Sequence, residues 1–147
     1  MFMLILPQYL KYGVLIMQKE VTVIIGSPND KEHLIPLEEK LKELNISYSV
    51  EVYSAHRNLP ELLDFLKTNQ TKIYVTAAGL AAALPGVVAS QVKEPVIGVP
   101  ICVGTLNGID ALLAILQMPK GVPIATMGLG KQGMINAALL CGRILNK

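Results

Sequence analysis

Tryptophan is missing from this chain, and histidine and cysteine occur only twice each. The two cysteines, Cys102 and Cys141, stand far apart without CxxC spacing. That excludes a disulfide framework and a cysteine zinc site, and it fits a reducing cytoplasm. His33 and His56 are too few for a histidine-rich metal centre, and no acidic cluster stands at a strand end to hold Mg²⁺. Charged residues make up only 16% and the net charge is +2, with no basic run, so a nucleic-acid surface is not expected. No apolar stretch approaches the roughly 18 residues of a membrane span. The run Phe2–Leu6 is too short for a signal-peptide core and has no basic residues before it. Neither GxxxxGK[ST] nor GxGxxG follows the first strand, so the usual P-loop and dinucleotide fingerprints are missing at that position. No Ser-His-Asp arrangement is compelling.

Apolar residues are what the chain has in plenty: 52%, with a mean hydropathy of +0.47. Such a content fits a sheet buried on both faces, or extra surface buried between subunits. β-Branched runs at Val21–Ile25, Ser49–Tyr53, Ile73–Ala77, Val96–Val99 and Pro123–Met127 read as strands. Helical patterns follow each of them at Asp30–Leu44, Leu59–Lys67, Ala81–Val92, Gly108–Gln117 and Gln132–Leu145. Five βα units in register predict an α/β fold of three layers, a five-stranded parallel sheet with right-handed crossovers. The flavodoxin-like order 2-1-3-4-5 is expected. Residues 17–147 form one domain. Residues 1–16 are an N-terminal extension or a mis-assigned start, with translation beginning naturally at Met17; the alternative is an extension that packs on a neighbouring subunit.

In that order a crevice opens between the first and third strands, at their carboxyl ends, and ligands bind there. The polar residues cluster in these loops. Ser54-Ala55-His56-Arg57 follows the second strand and sets an imidazole that titrates near neutrality beside a planar guanidinium fork. In the loop Gly26–Asp30, Gly26 permits close backbone approach, and Asn29 or Asp30 is expected to cap the next helix. The third loop, Ala78–Gly86, has almost only small side chains. It either offers backbone donors to a flat or phosphorylated ligand or simply packs tightly. After the fourth strand, Asn107 is expected to cap a helix, with Asp110 in its first turn. His33 reads as a surface side chain and Cys102 as a small buried hydrophobe rather than a nucleophile. One histidine, one arginine, one carboxylate and many backbone amides suit proton transfer on a small phosphorylated ligand.

These motifs resemble those of the N5-carboxyaminoimidazole ribonucleotide mutases and the related aminoimidazole ribonucleotide carboxylases of purine synthesis. The likeness runs from about Val21 to Leu145. Ile25–Asp30 is similar to the family's GSxSD loop, and Ser54–Arg57 is its SAHR unchanged. Ala78–Gly86 resembles its AGLAAHLPG loop, and Pro95–Pro100 a PVxGVP strand. Leu106–Asp110, Gln117–Pro119, Gly121–Pro123 and Asn136–Leu140 complete the set.

The resemblance implies that His56 is the general acid/base. It also implies that Arg57 and Ser27 hold the substrate phosphate and Asp30 the ribose. Asn29, Ser54, Gly79, Leu80, Ala81, Ala83 and Leu84 would complete the binding of a phosphoribosyl aminoimidazole. No cofactor and no metal is implied, and the assembly would be a homo-octamer. Four positions depart from the pattern: Ala83 stands for a histidine, Asn29 for a serine, and Cys102-Val103 for a more polar pair. They keep two alternatives open. One is a CO₂-dependent carboxylase, or a same-fold carboxylase paralogue. The other is a catalytically weak nucleotide-binding module.

Overall fold

A computed structural model describes residues 18–147; the expectations for residues 1–16 and for a start at Met17 lie outside the described residues. Four strands, β1 (Val21–Ile25), β2 (Tyr48–Val52), β3 (Ile73–Ala78) and β4 (Val96–Pro100), form a parallel sheet in the order β2-β1-β3-β4. Val23 stands opposite Val50 on one side and Val75 on the other, and Val75 stands opposite Ile97. β1, β3 and β4 are buried along their length, which is why they read as continuous Val/Ile runs. β2 is an edge strand and half-buried throughout.

The expected fifth strand is corrected. Pro123–Met127 runs parallel to β4 but forms a single rung, Ala125 opposite Ile97. The Gly98 amide donates to the Ala125 carbonyl at 2.8 Å and the Ala125 amide to the Val96 carbonyl at 3.0 Å. Pro123 has no amide hydrogen for the ladder, and Gly128, at φ +116°, turns the chain away towards the next helix.

Helices α1 (Ile35–Glu43) and α5 (Gly130–Leu145) cover one face of the sheet. There Leu37, Leu41, Met134, Ala137 and Cys141 pack on Val21, Val23, Ile73, Val75 and Ile97. Helices α2 (Leu59–Thr68), α3 (Ala83–Gln91) and α4 (Ile109–Leu116) cover the other face, with Leu62, Leu66, Leu84, Val88 and Ala111 against Ile24, Tyr74 and Val96. These two apolar layers are the core. Among the described residues no helix is long and apolar enough to cross a membrane.

The first helix also differs from expectation. Pro28–Leu34 is a 3-10 segment and the α-helix starts only at Ile35. Pro36 cannot donate to the carbonyl of Glu32, so one continuous helix over 30–44 is broken there. Its far end is a Schellman turn: Asn45 sits at φ +52°, the Ile46 amide donates to the Leu41 carbonyl at 2.9 Å, and the Asn45 amide to Lys42 at 3.0 Å. Leu41 and Ile46, both buried, close that turn by contact with the same core. Helix α3 starts at Ala83, later than expected, because Leu80 and Ala82 hold left-handed conformations (φ +56° and +43°). Gly108, and not Asn107, is the residue before α4, and no side chain caps that helix.

Candidate active site

Parallel strands deliver every carboxyl end to the same edge, so the loops after β1, β2, β3 and β4 meet there. Between them lies an open cleft of about 420 Å³. It is lined by Ser27, Asn29 and Asp30 from the first loop, and by Ser54, His56 and Arg57 from the second. Gly79, Leu80, Ala81, Ala83 and Leu84 line it from the third. The residues that the family likeness marks as binding or catalytic therefore share one cavity, at the crevice between β1 and β3, whereas His33, Cys102, Asn107 and Asp110 lie outside it.

Each loop is held by its own bonds. Ser27, not Asn29 or Asp30, caps the 3-10 segment: its Oγ accepts the Asn29 amide at 3.2 Å. That leaves the Asn29 side chain exposed at the cleft. Asp30 is half-buried beside Gly26. Partial burial holds its carboxyl above the ordinary carboxylate value, against the opposing pull of the His33 charge, the Ser27 backbone and Arg57.

The second loop is the tightest. Ser54 is buried, at 8% exposure. Its Oγ accepts the amides of His56 and Arg57, both at 3.3 Å. A hydroxyl oxygen has two lone pairs and one hydrogen, so with both lone pairs engaged the O–H is left to donate. The Arg57 Nη2 donates to the Gly26 carbonyl at 2.6 Å, which ties the second loop to the first. One corner of the guanidinium fork is thus anchored and the remaining N–H groups are open to an anion. His56 is exposed at the cleft.

The third loop comes close to its neighbour. A side chain on Gly79 would collide with Val103, and the exposed Leu80 leans on Gly104. Its Ala81 and Ala83 line the cleft, and the Ala82 amide donates to the Gly79 carbonyl at 3.1 Å. Val103 lines the cleft, whereas Cys102 is exposed and outside it, contrary to the buried small hydrophobe expected. Cys141 is the buried thiol, pushed up to about 12 by burial.

Two participants escaped the sequence reading. Val103 had a signal, since it sits in a departing pair, but nothing in one dimension aims it at the β3 loop. Asn58 is the other: it directly precedes the helical pattern Leu59–Lys67, and its Oδ1 accepts the Ser54 amide at 2.7 Å. No group of three His, Cys, Asp or Glu side chains suited to a metal ion occurs among the described residues.

Comparison with known proteins gives a consistent picture. A family model described as AIR carboxylase matches residues 20–147. The N5-carboxyaminoimidazole ribonucleotide mutase of Saccharolobus solfataricus is 47% identical over 129 residues, covering 86% of this chain and 80% of that protein. The Bacillus subtilis protein of the same name is 44% identical over 133 residues, covering 88% and 82%. Among solved structures, Treponema denticola PurE superposes with a TM-score of 0.76 at 32% identity, over 86% of this chain and 79% of that one.

Proposed function

The chain belongs to the AIR carboxylase family, and from that premise we infer that it catalyses the N5-carboxyaminoimidazole ribonucleotide mutase reaction of purine biosynthesis, an isomerisation. The observation that carries this reading to the residues is the meeting of His56, Arg57, Ser27 and Asp30 with the small-residue loop in one cleft. The relatives bearing the mutase name favour it over carboxylation from free CO₂ and over a binding module without chemistry.

The atom balance assigns the roles. The carbamate N–C bond breaks and CO₂ is released, while the exocyclic nitrogen keeps the electron pair and takes a proton. The neighbouring ring carbon then attacks CO₂. That carbon briefly carries both hydrogen and carboxylate, and loss of its proton restores the aromatic ring. One proton goes on and one comes off, so a single imidazole can give and then take it; His56 is that group. Arg57, Ser27 and the free Ser54 O–H hold the phosphate, and Asp30 accepts from the ribose hydroxyls. Asn29 and the backbone of Gly79, Leu80, Ala81, Ala83 and Leu84 face the ring and the transferring carboxylate. The cleft must keep CO₂ close between the two steps, since escape would uncouple them.

Self-association belongs to the same reading. Leu80, Leu106, Ile109, Leu113 and Leu116 are 52–59% exposed, on the site loops and α4. An apolar surface of that kind supports assembly, with the family likeness favouring a homo-octamer. Sedimentation that finds only a stable 15.9 kDa monomer overturns the octamer. Work in the cytoplasm fits the free thiols of Cys102 and Cys141.

The experiment is turnover with the carbamate nucleotide, set beside turnover with aminoimidazole ribonucleotide plus CO₂. The carbamate is expected to be the better substrate. His56→Asn is expected to lower kcat by roughly 10²–10⁴-fold, the span of a lost general acid/base, without loss of folding. Near-normal turnover of the variant at saturating substrate removes His56 from the mechanism.

A further inference from the structure

Asn58 stands where a helix cap should be and does not cap. It precedes α2, whose second residue is Pro60, and a proline has no amide hydrogen for a capping side chain to accept. No hydrogen bond runs from the Asn58 side chain into the helix. The carboxamide turns backwards instead, and its Oδ1 accepts the Ser54 amide at 2.7 Å. The Asn58 amide donates to the Ser54 carbonyl at 3.2 Å. With the two bonds into Ser54 Oγ from His56 and Arg57, four hydrogen bonds close a ring around Ala55, His56 and Arg57. The imidazole of His56 has no hydrogen-bond partner among the described residues, so its aim into the cleft is set by the backbone that carries it. We propose that Asn58 is a positioning residue: it locks the Ser54–Asn58 turn in the conformation that presents His56 to the substrate.

This rests on the reading of His56 as the acid/base. Proton transfer at carbon demands close approach, and a displacement near 1 Å at such a centre costs up to about 10²-fold in rate. Removing Oδ1 leaves the amide of a buried serine without that acceptor and lets the turn relax. An aspartate keeps an oxygen at the same atom.

The test is steady-state kinetics of the whole chain for Asn58→Ala, Asn58→Asp and His56→Asn, each with a thermal unfolding curve. Asn58→Ala is expected to lose about tenfold to a hundredfold in kcat at saturating substrate, at a temperature where it is fully folded, and Asn58→Asp to recover most of that loss. If Asn58→Ala does not fold, Asn58→Ser carries the same expectation, since its hydroxyl is too short to span to the Ser54 amide. A kcat within about twofold of the parent, whatever happens to the melting temperature, overturns the proposal and leaves a structural turn. So does an aspartate variant that folds but stays as slow as the alanine. His56→Asn separates the two ideas. If it is inactive while Asn58→Ala is normal, the positioning role alone fails. If it turns over normally, the acid/base reading fails and Asn58 loses its object.

Discussion

Arg57 shows how much chemistry one side chain can join. Its Nη2 on the Gly26 carbonyl links the second loop to the first, while the rest of the fork faces the cleft. Lysine keeps the charge but has neither the plane nor the second arm. Arg57→Lys is expected to weaken substrate binding about tenfold, the loss of roughly one charge-assisted hydrogen bond of ~1.5 kcal/mol. A phosphate-free analogue should bind the parent and the variant almost equally. Titration of both ligands checks this, and equal losses for the two would move Arg57 to a purely structural role. Ser54, His56 and Arg57 were legible as a motif because they are contiguous. The Gly26 carbonyl and Asn58 Oδ1 were not. A backbone acceptor leaves no mark in a sequence, and an asparagine before a helix ordinarily reads as a cap.

Among the elements, α5 meets its surroundings through small residues: Gly133, Ala137, Ala138 and Gly142 are all buried. A Cβ at Gly133 would run into the Gly128 carbonyl, so the helix can lie across the turn that precedes it only with glycine there. Backbone cannot step aside as a flexible side chain can. Gly133→Ala is expected to destabilise the fold by about 2–3 kcal/mol, although alanine is the better helix former. Urea unfolding of the parent and the variant measures it, and a more stable variant would mean that the turn yields freely. The same element scale explains the misread boundaries. Apolar spacing marked α1 from residue 30, but Pro36 and the tighter 3-10 segment ahead of it decided the start. Apolar residues marked a strand at 123–127, but a pattern carries no information on how many rungs a neighbour will accept.

At the scale of the whole molecule, Glu20 ties the ends of three segments. Its carboxylate accepts the Lys147 ammonium at 2.7 Å and the Ser47 amide at 3.1 Å, with Lys72 at 3.6 Å. Lys147 also donates to the Asn45 carbonyl at 2.9 Å. The hydrogen bond from Lys147, helped by Ser47 and Lys72, holds the Glu20 carboxyl below its ordinary 4.5 against the opposing effect of burial. A carboxyl lowered in the folded state stabilises above its unfolded value, and that stability is lost as pH falls through the folded one. Asp30 has the opposite sign: its contribution is fully present below the ordinary 3.8 and fades as pH rises. Glu20→Gln is therefore expected to cost about 1 kcal/mol near pH 7 and to converge with the parent in acid, below the folded value of Glu20. Denaturant midpoints at the two pH values check this; a constant difference would assign the loss to packing.

What the sequence determined by itself was local or repetitive. Alternating β-branched runs and helical stripes specify βα units, and parallel strands force their carboxyl ends to one edge, so the loops holding His56, Ser27 and the alanine-rich turn had to share it. Tertiary structure alone decided the rest. Whether Pro123–Met127 completes a ladder depends on the donors its neighbour leaves free. Whether Ser27 or Asn29 caps depends on the path into a proline-broken helix. That Asn58 grips Ser54 while Val103 presses on Gly79 depends on distances between chain segments, and these exist only once the core has closed.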